Sequence, residues 1–336
     1  MTKENPLQIV DVSEVNDKVA NELLDAATSQ GFLMVEGHGF SKKEIADLFQ
    51  TSSEFFAQEQ ALKDQVPYNP ATNHGYSWEE NLDPSRGKKA DPKEALNFAN
   101  LNCDKGTSTE ALPPFFIANP ERRELVENTI AKLYQLSIKL LKLLAIGLEI
   151  EDTNECKGED WFVSRYDAEK SLGTTFRFLH YPSQGLLDPD ELIRAGAHTD
   201  YGSMTLLFQK ANEEGLEILS PVLKKWEPVP YVESRSKNNE EAPPIIVNIA
   251  DQLSYWSGGL LKSTVHRVKF PLQSQANNQD RYSIVFFSHP NHDALLEPVP
   301  SAKIRSIEGR GPQSNAGKVL TAKEHLDKRL AATYKY

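Results

Sequence analysis

The stretch Ala197-His198-Thr199-Asp200-Tyr201-Gly202-Ser203 places a histidine and an aspartate two residues apart in a run of β-type composition. Because side chains alternate between the two faces of a strand, His198 and Asp200 are predicted to point to the same side. Another histidine, His266, lies in Ser263-Thr264-Val265-His266-Arg267-Val268, which also has strand composition. Two imidazoles and one carboxylate on one side of a metal ion leave its opposite side open. A closed structural zinc site more often includes cysteine and fills all four positions.

Such a set of ligands is the facial triad of non-haem Fe(II) oxygenases, although a lone histidine on a strand is usually a satisfied core residue. A second motif strengthens the interpretation: Arg281-Tyr282-Ser283-Ile284-Val285-Phe286-Phe287, in which Arg281 and Ser283 again share a strand face. A guanidinium group binds a carboxylate through two parallel hydrogen bonds, and a hydroxyl adds one donor. Because an unpaired buried charge is very costly, this pair predicts an anionic partner inside the fold.

Together these motifs resemble the Fe(II)/2-oxoglutarate-dependent dioxygenases of the isopenicillin N synthase-like family. The resemblance covers most of the chain, and it includes the blocks 31–39, 179–182, 247–251 and 263–268. Three blocks, 197–209, 281–292 and 329–334, are similar to the fungal thymine 7-hydroxylase-like branch of that family.

The resemblance implies an α+β fold with a double-stranded β-helix (jelly-roll) core and flanking helices. The iron ligands and catalytic residues that it implies are His198, Asp200 and His266. The residues that it implies for the distal carboxylate of 2-oxoglutarate are Arg281, Ser283 and Tyr181. Plant members often have asparagine where this chain has Leu179, and glycine is usual where it has Ala250. The first departure removes one possible contact with the cosubstrate.

The reaction implied by the resemblance uses Fe(II), O₂ and 2-oxoglutarate as cosubstrate, and ascorbate is an accessory reductant that the family admits. It hydroxylates or otherwise oxidises a small polar or heteroaromatic molecule and releases succinate and CO₂. Strand parity adds two candidates for the substrate pocket, because Arg177 shares a face with Tyr181, and Phe287 shares one with Ser283. The alternative is that Arg177 pairs with a structural carboxylate and that Phe287 belongs to the core.

The composition limits the partners. The 336 residues include 37 Lys and Arg against 48 Asp and Glu, a net charge of −11, which argues against nucleic acid or an anionic membrane as partner. Only two cysteines occur, which favours a reducing compartment. The start of the chain is polar, and the most apolar stretch, 140–148, is too short to span a bilayer. We therefore expect a cytoplasmic protein, with nuclear entry left open, that binds a small molecule. The oligomeric state is not predicted.

Four regions follow one another along the chain. We expect an N-terminal dioxygenase region at 1–118, a scaffold helix at 119–156, the jelly roll at 157–292 and a C-terminal segment with a helix at 293–336. Helices are predicted to begin at Ser13, Ser41, Pro120 and Thr321. The polar segment 68–112 is expected to be loop-rich and to form one wall of a pocket, with a plain surface connection as the alternative. The run His289-Pro290-Asn291-His292-Asp293 is expected to be a surface loop rather than a second metal site.

The strands of the jelly roll are predicted at 174–181, 195–200, 204–209, 216–219, 245–249, 264–270 and 282–288. Two further functions remain open at this point. One is an oxidase of the same fold that uses no 2-oxoglutarate, as isopenicillin N synthase-like enzymes do. The other is a non-catalytic binding protein, which the complete triad argues against.

Overall fold

The computed structural model describes residues 5–80, 91–170, 172–183, 193–237, 240–269, 279–307 and 319–333. These segments hold fourteen strands: β1 (Ile9–Asp11), β2 (Phe32–Glu36), β3 (Gly75–Glu80), β4 (Asp91–Phe98), β5 (Leu101–Asn102), β6 (Thr107–Ser108), β7 (Thr175–Tyr181), β8 (Ile193–His198), β9 (Met204–Phe208), β10 (Leu216–Leu219), β11 (Trp226–Pro228), β12 (Ile245–Ile249), β13 (His266–Lys269) and β14 (Arg281–Ser288). Their α-helices are α1 (Asp17–Ser29), α2 (Lys42–Phe56), α3 (Gln60–Lys63), α4 (Pro114–Ala118), α5 (Pro120–Gly147), α6 (Asp251–Trp256), α7 (Ala302–Arg305) and α8 (Ala322–Thr333).

Two sheets form the core of the fold. The larger sheet has eight strands in the order β1-β2-β12-β9-β14-β7-β4-β3, and the smaller has four in the order β11-β10-β13-β8. One cluster of buried apolar side chains joins them, with members from β4, β7 and β14 of the large sheet and from β8 and β13 of the small one: Ala95, Leu179, Tyr181, Val285, Ala195 and Val268. The sheets therefore face each other over a shared interior, which confirms the predicted jelly roll.

The helices cover the other face of the large sheet. Phe176, Phe178, Ile284 and Phe286 alternate with the inward-facing residues of β7 and β14 and belong to the main core cluster. The long helix α5 belongs to the same cluster, through buried residues such as Leu133, Leu140 and Leu144. Because successive side chains of a strand point to opposite faces, the large sheet packs against the helices with one face and lines the interior between the two sheets with the other.

The polar segment 68–112 departs from the expectation of a loop-rich wall. It contains β3 and β4, and β4 pairs with β7 so that Leu96 lies opposite Phe178 and Asn97 lies opposite Arg177. The outward residue Leu96 is buried in the core, whereas the inward residue Asn97 is polar, so the strand lacks a continuous apolar pattern. The prediction of a loop was wrong for these strands, because polar residues on the inner face interrupt the apolar pattern by which a buried strand is recognised in a sequence. Residues 81–90 of the segment lie outside the described part of the chain.

Helix starts agree with the sequence at three of four positions. Ser41 and Glu44 form the predicted capping box, and Thr321 and Glu324 exchange the corresponding hydrogen bonds of 3.1 and 3.0 Å. The predicted start at Ser13 was wrong, because the Ser13 amide donates to Asp11 Oδ1 and the cap of α1 is Asn16. The division of the chain at 118, 156 and 292 stays a prediction. Within the described segments, no helix combines the length and apolar character needed to cross a membrane.

Candidate active site

Three side chains that the sequence singled out meet at the interior. His198 ends β8 and lies opposite His266, the first residue of β13, so their ring centroids are 4.4 Å apart. Asp200 lies two residues beyond the end of β8, and its Oδ1 is 3.8 Å from His198 Nε2 and 3.7 Å from His266 Nε2. The three ligand atoms lie within 4.8 Å of one another, and no other group of this kind occurs in the segments that the structure describes.

Hydrogen bonds to neighbouring groups aim the three ligand atoms at one point. His198 Nδ1 is 2.7 Å from the carbonyl oxygen of Gly196, and His266 Nδ1 is 3.1 Å from that of Thr264. A carbonyl oxygen can only accept, so Nδ1 carries the proton in both rings and Nε2 keeps a lone pair for a metal. Asp200 Oδ2 accepts from Thr205 Oγ1 and Asn248 Nδ2 at 2.7 and 2.8 Å, which leaves Oδ1 for coordination.

The protonation states also suit a metal ion. Burial lowers the pKa of His198 to about 4, and the neighbouring His266 adds to this effect. Burial by itself would raise the pKa of Asp200, but the two imidazoles and its hydrogen bonds outweigh burial and hold that pKa below its usual value. At neutral pH, His198 is therefore a neutral imidazole and Asp200 a carboxylate, which are the forms that bind metal. This set of nitrogen and oxygen donors fits Fe(II).

Arg281 and Ser283 on β14, beside Tyr181 on β7, form a cationic group on the large sheet that we call the cradle. Arg281 on β14 lies opposite Tyr181 on β7, and its guanidinium carbon is 5.1 Å from the centre of the Tyr181 ring. Arg281 Nε donates to the carbonyl of Glu213 at 2.9 Å, but Nη1 and the hydroxyl of Ser283 are buried without a hydrogen-bond partner among the described residues. Burial lowers the pKa of Arg281, yet a guanidinium group stays protonated in proteins. Two buried donors on one face fit a carboxylate.

The candidate substrate residues lie beside this cradle. Phe287 packs against the apolar cluster of the interior, and the Arg177 guanidinium lies 5.3 Å from its ring centre. Arg177 Nε donates to Asn97 Oδ1 at 2.7 Å. Both Arg177 and Phe287 are half-buried, so neither is enclosed in the core. The structure thus brings the two side chains together on the inner face, as parity predicts, while their role stays a prediction.

Several residues near the site were not identified from the sequence. Thr205 and Asn248 stand in the blocks 197–209 and 247–251 but were assigned no role, and Asn97 stands in the segment that was expected to be loop-rich. Only the register of β9, β12 and β4 brings these three residues to the site. His289 was expected in a surface loop but is buried at 8% exposure. Room for its ring comes from Gly202, where a Cβ atom would lie 2.7 Å from His289 Nε2. The expectation of a surface loop was wrong for His289, because the space for its buried ring is created by Gly202, which is distant in the sequence.

The fold and the site together define a non-haem iron oxygenase that uses a 2-oxo acid as cosubstrate. Two family models match the chain: the N-terminal region of "non-haem dioxygenase in morphine synthesis" over residues 7–114, and the 2OG-Fe(II) oxygenase superfamily over residues 159–290. The chain belongs to the 2OG-Fe(II) oxygenase superfamily. It is an Fe(II)- and 2-oxoglutarate-dependent dioxygenase, an oxidoreductase that also uses O₂.

Relatives and solved structures match nearly the whole chain. UPF0676 protein C1494.01 of Schizosaccharomyces pombe is 31% identical over 337 residues, which cover 97% of this chain and 92% of that protein. The 2-oxoglutarate-Fe(II) type oxidoreductase ppzD of Metarhizium majus is 28% identical, with 93% and 89% covered. Among solved structures, the thymine 7-hydroxylase of Neurospora crassa in complex with α-KG and thymine has a TM-score of 0.78 at 25% identity, with 99% of both chains covered. A 2OG-Fe(II) oxygenase family protein of Caulobacter crescentus has a TM-score of 0.74 at 23% identity, with 98% and 99% covered.

Proposed function

We propose that this enzyme oxidises a small polar or heteroaromatic molecule at an iron held by His198, Asp200 and His266. In this proposal, Arg281 and Ser283 bind the distal carboxylate of 2-oxoglutarate, and the Tyr181 ring packs beside them. One observation carries the assignment: a triad of metal ligands, of which Asp200 and His266 are buried and His198 is half-buried, shares an interior with two buried donors that have no hydrogen-bond partner among the described residues. An unsatisfied buried donor is costly, so the protein retains it for a ligand.

Different residues of the site orient the iron ligand Asp200 and exclude water from the cosubstrate. Bound Fe(II) and 2-oxoglutarate supply O₂ activation, coupled to the conversion of 2-oxoglutarate into succinate and CO₂. Thr205 and Asn248 hold the Asp200 carboxylate so that Oδ1 faces the two imidazoles. The apolar side chains of the interior, including Leu179 and Val285, exclude water around the cosubstrate. Water exclusion strengthens the attraction between Arg281 and a carboxylate, because charges interact more strongly in a medium of low dielectric constant.

The substrate class is inferred from Arg177 and Phe287. An aromatic face stacks on a planar ring, and a guanidinium donates to ring carbonyl groups. The Neurospora crassa thymine 7-hydroxylase, which has the same fold, has been solved with thymine and with 5-formyluracil. That similarity supports a planar molecule with several carbonyl groups, such as a pyrimidine. The acidic charge of the chain supports a small-molecule substrate over nucleic acid, and its few cysteines support a cytoplasmic location.

The proposal is tested by turnover with a panel of candidate substrates. The purified protein is supplied with Fe(II), O₂ and 2-oxoglutarate, and succinate and oxidised product are measured for pyrimidines, purines and amino-acid derivatives. We expect a heteroaromatic member of the panel to raise succinate formation and to give product in equal amount. Product without succinate would support an oxidase that does not use 2-oxoglutarate. Activity confined to amino-acid derivatives would contradict the substrate class.

A further inference from the structure

A single carboxylate connects the segments that carry all three proposed iron ligands. Asp251 begins helix α6, and its side chain is only 12% exposed. Its Oδ2 accepts from Thr199 Oγ1 at 3.0 Å, and its Oδ1 accepts from Ser263 Oγ at 2.6 Å. Its backbone amide donates to the carbonyl of Asp200 at 2.8 Å. Thr199 separates His198 from Asp200, and Ser263 lies shortly before His266 in the chain, so Asp251 reaches both ligand-bearing segments.

These segments need such a connection because sheet hydrogen bonds do not hold them completely. Strand β8 ends at His198, so Thr199 and Asp200 lie outside it, and β13 begins only at His266. The pairing of β8 with β13 is also irregular directly after the His198–His266 pair, where the register shifts. The position of Asp200 relative to His266 therefore depends on contacts other than the regular ladder.

The C-terminal helix completes the connection. Arg329 on α8 places Nη2 2.6 Å from Asp251 Oδ2 and 3.3 Å from Thr199 Oγ1. Helix α8 is itself held against α6, where Gln252 Nε2 donates to the carbonyl of Ala322 at 3.0 Å. The Tyr255 and His325 rings add a contact with centroids 5.0 Å apart. The end of the described chain thus reaches the residue between two iron ligands.

We propose that Asp251, Thr199, Ser263 and Arg329 form a clamp that positions the iron ligands, and that α8 is part of the active-site framework. The proposal rests on the assignment of His198, Asp200 and His266 as ligands. Arg329 acts through Asp251 and Thr199 and touches neither metal nor cosubstrate, so it is a positioning residue. Loss of a partner behind a metal ligand typically weakens metal binding about 10- to 100-fold.

The test is a titration of the full-length protein with Co(II), whose visible absorption reports the geometry of its ligands. Arg329→Leu is compared with the matched control Lys328→Leu, which removes the same charge from an exposed neighbour on α8. We expect Arg329→Leu to weaken Co(II) binding roughly tenfold and to change the shape of the spectrum. The control should bind Co(II) as the wild type does, and Arg329→Lys should recover part of the loss. Thr199→Val tests the same clamp from its other end.

The outcomes separate the clamp from the metal site. If Asp200→Ala binds Co(II) as tightly as wild type, the ligand assignment itself is wrong. If Asp200→Ala loses binding but Arg329→Leu and Thr199→Val keep the wild-type affinity and spectrum, the clamp is overturned and the ligand assignment stands. A lower melting temperature of Arg329→Leu with an unchanged spectrum would also overturn it, because it would show a role in stability alone.

Discussion

Replacing Arg281 by alanine should weaken the binding of 2-oxoglutarate far more than any other single change in the cradle. Arg281 is only 3% exposed, and its Nη1 is one of the two donors left for a ligand. Removing it leaves the distal carboxylate buried without a counter-charge, which costs about 3–5 kcal/mol, or roughly two to three and a half powers of ten in affinity. Ser283→Ala removes one hydrogen bond to a charged group, about 1.5–3 kcal/mol, or roughly ten- to hundredfold.

The assay is the half-saturating concentration of 2-oxoglutarate for succinate formation, with Co(II) binding as a control for the fold and the metal site. Arg281→Lys should fall between wild type and Arg281→Ala, because lysine keeps the charge but loses the fork of the guanidinium group. A normal half-saturating concentration in Arg281→Ala, with normal metal binding, would refute the cradle and place the carboxylate elsewhere.

Three further predictions concern other parts of the molecule. His198→Ala should abolish Fe(II) binding while the circular dichroism spectrum stays that of the folded protein; full iron occupancy would contradict the triad. Arg177→Ala and, less severely, Phe287→Leu should spare 2-oxoglutarate affinity but increase the succinate formed per product; equal amounts in both variants would place these side chains outside the pocket. Burial lowers the pKa of His180, but Asp280 and Glu94 outweigh it and raise that pKa above 6.5. The stability from this pairing is complete below pH 6.5 and is lost as the pH rises through the raised pKa, so melting temperatures of wild type and His180→Gln should converge at high pH.

The residues that carry the chemistry could be predicted from the sequence more readily than the residues that hold them in place. His198, Asp200, Arg281 and Ser283 were identified because chemically distinctive residue types recur at a spacing of two; the structure groups His198 and Asp200 with His266, and it places Arg281 and Ser283 on one strand. Predicted strand bounds also agree with the structure where apolar residues fill a short run between turn residues, as in β10 and β12. In both cases the signal is local in the chain, so no knowledge of distant partners is needed.

The residues that sequence reasoning missed depend on contacts between distant segments. Thr205 and Asn248 stand in blocks that the family resemblance includes, but no role can be assigned to them until β9 pairs with β12, which places them directly opposite each other beside Asp200. The carboxylate of Asp251 stands in a motif that the family resemblance includes, but its bond to Arg329 joins residues 78 positions apart in the chain. No periodicity in the sequence encodes such a contact.

The two faces of β4, β7 and β14 explain how the cradle is held in place. On the outer face, Glu94 accepts from Tyr76 and contacts His180 at 2.5 Å each, and Lys63 forms a buried ion pair with the same carboxylate. The His180 ring stacks on Tyr282 with centroids 4.7 Å apart. These residues alternate with the inward-facing Tyr181 and Arg281, so a shift of one residue would turn the charges into the interior between the sheets and remove the cradle. Breaking a buried ion pair costs about 3–5 kcal/mol, so the outer network fixes the register that brings Arg281 opposite Tyr181.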